Sequence, residues 1–263
     1  MSSSKIKLPE KEQSLSVKKA IRILKAFTYE RSEMTIAELV AATGINRTVC
    51  YRLLNTLQDD ELLEKNEMTG RYRLGLGLFR MGNLGLRSLD IRSVARPEMT
   101  RLAAQTSDVV VLLVESGLAA LCIERVDGGH PIQSAAAQIG QSLPLHVGGG
   151  PFALLAFLPE EKREAALSRQ LPRTTSSTIT DAAKIRERLE DVRKSGYAVG
   201  DEDLVEHLVA LGAPIFDVNG DVVASLSVGG IKPRYPQERI DEVARLVVTA
   251  ADRISEMLGT TRN

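Results

Sequence analysis

Apolar residues near the start of the chain recur at every third or fourth position. In residues 16–29 the apolar side chains with this spacing are Val17, Ala20, Ile21, Leu24 and Phe27. A period close to 3.6 residues predicts an amphipathic helix. A second, shorter helix is predicted over residues 36–43, because Thr35 and Glu38 can form a capping box at its start and Gly44 suits the left-handed stop at its end.

A third helix is predicted to begin after Asn46, a residue type that caps helix N-termini, and to run to about Asp60. On a helical wheel its residues separate into two faces. The apolar face carries Cys50, Leu53, Leu54 and Leu57, and the polar face carries Arg47, Thr48, Tyr51, Arg52 and Asn55. Residues 62–65 and 71–74, joined by a turn at residues 66–70, predict a two-stranded wing behind this helix.

The next segment, residues 76–92, is predicted to be a connecting helix, although Gly77, Gly82 and Gly85 weaken it. Its apolar residues include Leu76, Phe79, Leu84 and Leu86. A slender connector cannot cover these side chains by itself. We therefore expect them to contribute to a homodimer interface, and packing against the chain's own second domain is the alternative.

Beyond residue 92, strand-like and helix-like patterns alternate and predict an antiparallel sheet with helices. One hairpin is indicated at Ser116-Gly117 and another at Asn219-Gly220, where Asn-Gly is a strong turn signal. The predicted strands are 109–115, 118–126, 208–216 and 222–228, and the predicted helices are 94–107, 152–158, 181–195 and 236–258. The predicted fold class of the whole chain is α+β.

These elements divide the chain into segments. Residues 1–14 are predicted to be a disordered N-terminal tail, 15–75 a winged helix-turn-helix, and 76–92 a linker helix. Residues 93–258 form the predicted second domain, and 259–263 a C-terminal tail. The length of 263 residues suits two domains of ordinary size.

Composition restricts the class of protein. Of the 263 residues 43% are hydrophobic and 26% charged, which is typical of a globular protein. The net charge is zero, but residues 1–75 hold 13 Lys and Arg against 10 Asp and Glu, a mild basic excess that permits a polyanionic partner. Cys50 and Cys122 have no CxxC spacing, so neither a disulfide framework nor a cysteine zinc site is predicted. Neither a signal peptide nor an apolar run of ~18 residues is evident, which predicts a cytoplasmic protein without a membrane partner.

The polar face of the third predicted helix has the side chains needed to read DNA. Base edges in the major groove offer donors and acceptors that Arg, Asn and Thr meet, and the first turn of such a helix lies nearest to them. Arg71 and Arg73 flank Tyr72 on the wing, so both are expected to leave one face toward phosphates. The predicted DNA-binding residues are Thr35, Asn46, Arg47, Thr48, Tyr51, Arg52, Asn55, Arg71 and Arg73. A three-helix bundle with a solvated polar face is the alternative, but the order of elements favours DNA binding.

Residues 16–90 resemble the N-terminal part of the isocitrate lyase regulator (IclR) family of bacterial transcription factors. The matching stretches are SVKKAIRILKAF, TIAELVAATGINRTVCYRLLNTLQDDELLEK and GRYRLGLGLFRMG. The resemblance continues through LPLHVGGGPFALLAFLP, VRKSGYAVGDEDL and LGAPIFDVNGDVVASLSVGG, and it covers about residues 15–258. It implies a GAF/PAS-like effector domain, small carboxylate or aromatic effectors, and homodimers that often pair into tetramers.

The second domain carries no pattern typical of catalysis. The motifs GxSxG, GxxxxGK[ST] and HExxH are absent, and Ser142 and His146 have no acid in a triad-like position. We therefore predict neither an enzyme activity nor a cofactor. The strongest metal candidate comprises Asp201, Glu202, Asp203, Glu206 and His207. A solvated acidic loop is the favoured interpretation of this segment, and no metal is predicted.

A glycine-rich sequence, residues 148–151, precedes the apolar helix predicted over 152–158. Glycines in front of a helix expose backbone N–H groups at the positive end of its dipole, so this loop is either a carboxylate site or a tight turn with unusual backbone angles. The resemblance favours the first alternative, because it implies effector contacts at Gly149, Gly150 and Ser227. Between this loop and the strand bearing Ser227, an apolar wall is expected from Phe152, Leu154 and Leu145.

Two features depart from the family pattern. Phe152 stands where the family usually has a lysine, and Gly200, Ala210 and Gly229 stand where some members place polar effector contacts. Fewer polar side chains at these positions favour an effector that is bulkier or more apolar than a small keto acid.

The predicted function is a sequence-specific DNA-binding transcriptional regulator controlled by a small organic acid. Its predicted partners are double-stranded operator DNA, the effector and a second copy of the chain. One alternative is a DNA-binding protein whose second domain serves oligomerisation alone. Another is an enzyme with a tethered winged helix, which would require a nucleophile or a metal in a cleft.

Overall fold

The computed structural model describes residues 14–28, 31–87, 91–131 and 137–259, and of residues 83–87 the backbone alone. Apart from Ser14 and Gly259, the two predicted tails lie outside these ranges. The chain divides into two compact units, Met1–Leu89 and Asp90–Asn263, and each is described by itself.

The first unit combines helices with a small antiparallel sheet. Its elements are α1 (Leu15–Leu24), β1 (Glu33–Met34), α2 (Ile36–Thr43), α3 (Arg47–Asp59), β2 (Leu63–Lys65), β3 (Tyr72–Leu74) and α4 (Leu76–Arg87). The strand order is β1-β3-β2. The predicted helices and wing are confirmed. The two-residue strand β1 was not predicted, because so short a segment shows no alternation.

Side-chain caps fix the ends of α2 and α3. Thr35 Oγ1 accepts the Glu38 N–H at 3.3 Å, and Glu38 Oε2 accepts the Thr35 N–H at 2.6 Å, so the predicted capping box is confirmed. The Thr35 N–H and, at 2.9 Å, the Thr35 hydroxyl both donate to the Glu38 carboxylate and hold its pKa below the usual value. Gly44 ends α2 with φ of 67°, and Asn46 Oδ1 caps α3 by accepting the Thr48 N–H at 2.9 Å. Thr35, also a predicted DNA contact, has its hydroxyl engaged in the box.

The apolar faces of these helices form one core. Its most buried members include Ile23, Leu39, Cys50, Leu54, Leu63 and Tyr72. Burial of the predicted apolar face of α3 directs the opposite face to solvent, as the helical period requires.

Glycines at the start of α4 permit close packing. The Gly75 N–H donates to Leu62 O at 2.9 Å, and the Gly77 N–H donates to Glu61 O at 3.0 Å. A β-carbon on Gly77 would lie 2.8 Å from Glu61 O, closer than real side chains come. Arg80 adds an ion pair to Glu61. The start of α4 is therefore fixed to the turn that follows α3.

The second unit contains a six-stranded sheet with helices. Its elements are α5 (Ile91–Thr106), β4 (Val109–Ser116), β5 (Ala119–Val126), β6 (Ser142–Pro144), α6 (Gly149–Phe157), α7 (Glu160–Leu167), α8 (Ala182–Ser195), β7 (Ala198–Asp201), β8 (Leu208–Phe216), β9 (Val222–Ile231), a 3-10 turn at Lys232–Arg234, and α9 (Gln237–Met257). The strand order is β6-β5-β4-β9-β8-β7, and the pairs are antiparallel. Both predicted hairpins and the α+β class are confirmed. The elements β6, α7 and β7 were not predicted.

Two cores lie on the two faces of this sheet. In β4, Val110 and Leu112 contribute to the core with α5 and α9, whereas Val111 and Leu113 contribute to the core with α6 and α8. This alternation follows from the two-residue period of a strand. Helices on both faces explain why the first six residues of β4, Val109–Val114, are all apolar.

A buried carboxylate joins α5 to β5. Glu124 is 4% exposed, and its oxygens lie 2.9 Å from Arg92 Nη2 and 3.0 Å from Arg96 Nη1. Burial alone would raise the pKa of Glu124, but hydrogen bonds from Arg92 and from the Arg125 N–H outweigh it and lower the pKa. Glu124 is therefore held in its ionised form.

Candidate functional site

The outer face of α3 presents the predicted base-reading side chains together. Its exposed residues are Asn46, Arg47, Thr48, Tyr51, Arg52 and Asn55. Tyr51 is 56% exposed although it is aromatic. The fold thus gathers these residues on one accessible helix face. Their contact with DNA stays a prediction.

The wing arginines are paired with acids of the same unit. Arg71 Nη1 lies 3.4 Å from Glu38 Oε2 and donates to Glu33 O at 3.1 Å. Arg73 forms a two-pronged contact with Glu64, through Nε at 3.2 Å and Nη2 at 2.9 Å. Ion pairs at partly exposed positions contribute little stability, so a phosphate can replace either carboxylate. The two-residue spacing of Arg71 and Arg73 predicted that both side chains leave the same face of the wing. It did not predict their acidic partners.

The helix α6 begins inside the glycine sequence, three residues earlier than predicted. Gly148 is its N-cap with φ of 70°, and Gly149 and Gly150 form its first turn. A β-carbon on Gly149 would lie 2.4 Å from Ala210 O, and one on Gly150 would lie 2.7 Å from Ser227 Cβ. The glycines therefore allow α6 to approach the strands β8 and β9 closely.

A carboxylate of the protein already binds the first amide of this loop. Asp203 Oδ1 accepts the Gly148 N–H at 3.0 Å, and Asp203 is 5% exposed. The hydroxyls of Thr174 and Thr178 each donate to Asp203 O at 2.7 Å and hold its backbone in place. Burial raises the pKa of Asp203. The anion position expected at this helix end is thus occupied by an internal side chain.

A cavity lies between the start of α6 and the sheet. Its volume is about 50 Å³, room for a few water molecules. It is lined by Val109, Val111, Leu113, Arg125, Ala137, Leu143, Gly148, Gly149, Pro151, Leu204, Ala210, Ser227 and Gly229. Within this described lining, Arg125 supplies the charge and Ser227 the hydroxyl. Predicted effector residues Gly149 and Ser227 therefore share one cavity.

Gly150, the third predicted effector residue, packs against the Ser227 side chain and is not part of this lining. Ser227 Oγ donates to Leu211 O at 2.9 Å, so its lone pairs, not its proton, remain for a ligand. The expected apolar wall of Phe152, Leu154 and Leu145 is wrong. These three residues belong to the core with α6 and α8 but do not line the cavity, and the apolar lining from the same core consists of Val109, Val111, Leu113 and Leu143, with Leu204 packed against it. Phe152 and Leu154 lie on α6, and successive helical residues face different sides, so closeness to the loop in sequence did not bring them to the cavity.

Phe152, which stands where the family usually has lysine, is buried in the core of α6. The guanidinium of Arg188 lies over its ring at 4.7 Å from the centroid, a cation–π contact. The Phe152 side chain is therefore covered by α8.

The acidic segment from Asp201 to His207 does not gather three potential metal ligands around one point. Asp201 lies 3.0 Å from Lys232 Nζ, and Glu202 pairs with the same lysine. Glu202 Oε1 also accepts the His207 N–H at 2.8 Å, while Asp203 turns toward α6. Within the described ranges, no three side chains of His, Cys, Asp or Glu are grouped as metal ligands would be.

Family models match both units of the chain. Residues 84–256 match the description "Bacterial transcriptional regulator IclR C-terminal", and residues 16–67 match "IclR helix-turn-helix domain". The chain belongs to the IclR family. It is a DNA-binding transcriptional regulator with the helix-turn-helix and antiparallel-sheet domains of that family, as the sequence predicted.

Named relatives of this IclR-family chain agree with that assignment. It is 32% identical over 94% of its length to the HTH-type transcriptional regulator KipR of Bacillus subtilis, covering 98% of that protein. It is 27% identical over 97% of its length to the transcriptional repressor IclR of Escherichia coli, covering 93% of that protein. A solved structure with a TM-score of 0.83 and 25% identity is an IclR homolog from Microbacterium hydrocarbonoxydans complexed with 4-hydroxybenzoate, matched over 93% of this chain and 99% of that one. None of the helices in the described ranges has the length and apolar character of a membrane span.

Two polar residues of the cavity region in this IclR-family chain, Arg125 and Asp203, were not predicted as effector residues from the sequence. Arg125 follows the apolar part of β5, and a charged pair, Glu124 and Arg125, inside a largely apolar strand is the signal in the sequence that could indicate it. Asp203 was considered as a metal ligand, and its contact with α6 has no local signature. Both residues reach the cavity region through pairing between distant segments.

Proposed function

We propose that this IclR-family regulator binds a small organic acid in the cavity beside α6, and that the acid changes its affinity for operator DNA. The observation that carries the proposal is the cavity itself, with apolar walls, one guanidinium and one hydroxyl. Such a composition is typical of small-molecule sites. The related protein from Microbacterium hydrocarbonoxydans was crystallised with an acid of this class.

The size of the cavity provides a route to regulation. At about 50 Å³ it is smaller than an aromatic acid, so an acid that enters it completely displaces lining groups. Leu204 packs near Gly148 at the α6 end of the cavity and is a side chain whose movement would enlarge it. A ligand controls DNA binding only through different affinities for two arrangements of the protein. An expanded and a closed cavity are two such arrangements.

The proposed DNA contact is made by α3 in the major groove. Its first turn, with Arg47 and Thr48, lies nearest the base edges, and Arg71 and Arg73 of the wing contact phosphates. The exposed polar face of α3 and the match to the IclR helix-turn-helix domain support this arrangement. Base edges then determine sequence preference, while phosphate contacts position the unit.

The regulator is proposed to act as a homodimer, with a tetramer formed by two dimers. Exposed apolar side chains of α4 support the dimer: Leu76 is 71% exposed, Phe79 67% and Met81 59%. Leu84 and Leu86, predicted for the same interface, lie outside the described side chains. A two-fold dimer would read two half-sites of a palindrome.

Thermal-shift screening with a panel of organic acids, followed by gel shifts on duplexes selected from a randomised pool, tests the proposed function. An acid at 100 times its Kd is expected to stabilise the protein by about 2.7 kcal/mol. The same acid is expected to change DNA affinity about 5- to 150-fold. If acids bind the protein but none of them changes its affinity for DNA, the alternative is favoured in which the second domain serves oligomerisation alone. Turnover of a bound acid would favour an enzyme.

A further inference from the structure

Arg125 and Ser227 lie in one row across the sheet below the cavity. Val111 of β4 is paired with Arg125 of β5 on one side and with Ser227 of β9 on the other. Residues directly opposite each other in a sheet project from the same face. Two strand spacings place the Arg125 and Ser227 backbones about 10 Å apart. Both side chains line the cavity, so they mark two ends of it.

The Arg125 end offers a positioned cation. Its Nε and Nη2 lie 2.8 Å and 2.7 Å from Asp127 Oδ1, and its Nη1 donates to Ala137 O at 2.9 Å. These contacts hold the guanidinium at the cavity, where its side chain is 11% exposed. The Asp127 side chain is 62% exposed. Water can therefore solvate the Asp127 carboxylate when a ligand carboxylate replaces it on the Arg125 guanidinium or binds the guanidinium beside it. A guanidinium binds carboxylates through two parallel hydrogen bonds.

The Ser227 end offers one acceptor, the Ser227 hydroxyl oxygen, beside one backbone donor. The Ser227 hydroxyl donates to Leu211 O, and the Gly148 N–H is already bound by the Asp203 carboxyl. Gly149 lines this end, and its N–H, in the first turn of α6, has no acceptor within the helix. A ligand hydroxyl can donate to Ser227 Oγ and accept from Gly149. A ligand carboxylate cannot donate, and it would lie near Asp203.

We propose that Arg125 binds the carboxylate of the effector, and that a hydroxyl or amino group at the opposite end of the ligand reaches Ser227. This orientation is the reverse of the one expected from the glycine loop. It assigns the effector to rigid, elongated acids with a hydrogen-bond donor opposite the carboxylate, such as hydroxyaryl acids. The assignment rests on the proposed function, since it requires that an acid occupies this cavity.

Calorimetric titration of the full-length protein with three related probes tests the orientation. The probes are 4-hydroxybenzoate, its neutral amide 4-hydroxybenzamide, and the diacid terephthalate. Wild-type protein is expected to bind 4-hydroxybenzoate at least about tenfold more tightly than either of the other probes. The amide loses the charge-assisted contact with Arg125, and terephthalate loses the donor to Ser227. Arg125→Gln should remove the preference for the acid over the amide. Arg125→Lys should restore part of this preference, since lysine keeps the positive charge but lacks the two parallel N–H donors of a guanidinium.

The acid-to-amide ratio is measured within each protein, so partial loss of folding in one variant does not imitate the effect. Arg186→Gln is the matched control, because Arg186 also pairs with a carboxylate, that of Glu164, but on the exposed surface of α8. It should keep the wild-type ratio. Ser227→Ala should reduce the advantage of 4-hydroxybenzoate over terephthalate several-fold, because the variant lacks the oxygen that accepts the ligand hydroxyl.

An Arg125→Gln protein that keeps the acid-over-amide preference would overturn the orientation and leave the proposed function intact. Binding of another panel acid but not of 4-hydroxybenzoate would overturn the ligand class assigned here. If no acid of the panel stabilises the wild-type protein, the proposed function fails and the orientation fails with it.

Discussion

Asp203 and Gly148 are 55 residues apart in sequence, yet Asp203 Oδ1 accepts the Gly148 N–H at 3.0 Å. The bond joins the loop after β7 to the first residue before α6. It places a buried carboxyl where a helix dipole favours negative charge. The start of α6 therefore has an internal acceptor before any ligand arrives.

The free energy of unfolding of an Asp203→Asn variant should increase relative to that of wild type as the pH rises. Burial raises the pKa of Asp203 above its ordinary 3.8, so the folded chain keeps this proton at pH values where the unfolded chain has lost it. The stability that this carboxyl contributes is greatest below pH 3.8 and declines as the pH rises through the folded pKa. Asn keeps an oxygen for the Gly148 N–H and never ionises. Urea unfolding at several pH values between about 4 and 7 measures the difference.

The matched control is Asp191→Asn, which removes a carboxylate with 74% side-chain exposure from α8. It should show no such trend. A difference between Asp203→Asn and wild type that stays constant or shrinks with rising pH would contradict the prediction.

Gly150→Ala should destabilise the second unit by about 1–3 kcal/mol, the usual cost of overpacking. The added β-carbon would lie 2.5 Å from Leu113 Cδ1 and 2.7 Å from Ser227 Cβ, so α6 or its neighbours must shift. Chemical unfolding of the whole protein measures the loss. Gly129→Ala is the control, because its β-carbon would meet no atom within 4 Å. Equal stabilities of the two variants would show that α6 tolerates displacement.

Arg47→Ala should weaken specific DNA binding by about 1–3 kcal/mol and relax the preference at one base pair. Arg47 is exposed in the first turn of α3, the part of such a helix that lies nearest the bases. Binding of wild type and variant to a selected duplex and to its single-base variants gives the comparison. Arg245→Ala, at an exposed position of α9, is the control and should leave binding unchanged. Unchanged base preference in the Arg47 variant would remove α3 from the proposed reading surface.

Arg73→Ala should weaken binding to all duplexes and reduce the slope of log affinity against log salt by about one unit. Glu64→Gln should have the opposite effect, because it removes the carboxylate that holds Arg73 at 2.9 Å. A double-mutant cycle measured by fluorescence anisotropy tests whether one effect acts through the other. The gain from Glu64→Gln should be smaller in the Arg73→Ala background. A gain of the same size in both backgrounds would mean that Arg73 does not contact phosphate.

Replacing Leu76 and Phe79 together by lysine should convert the proposed dimer into a monomer at micromolar concentration. Both side chains are exposed on α4, at 71% and 67%, and a charge placed in an apolar interface is left without a partner. Light scattering gives the mass. Met68→Lys is the control, since Met68 is an apolar residue that is 94% exposed on the wing. Wild-type protein that is already monomeric would refute the dimer, and a dimeric double variant would place the interface elsewhere.

Elements with local causes could be predicted from the amino-acid sequence. Thr35 and Glu38 predicted the start of α2, Gly44 its end, and Asn219-Gly220 the hairpin between β8 and β9, because each signal and its partner lie within a few residues. The two faces of α3 followed from the helical period for the same reason. These features were sufficient to indicate the helix-turn-helix, while the family resemblance rested on the matching sequence stretches.

The tertiary structure alone decided which polar groups share the cavity. Arg125 and Ser227 come into one row because β4 pairs with β5 on one edge and with β9 on the other, and Asp203 reaches Gly148 because β7 ends beside α6. The sequence predicted the two hairpins but not the pairing of β4 with β9 that joins them into one sheet. Contacts between segments far apart in sequence have no local periodicity. They depend on strand order and on how closely a helix approaches a sheet, which the packing of the whole unit fixes.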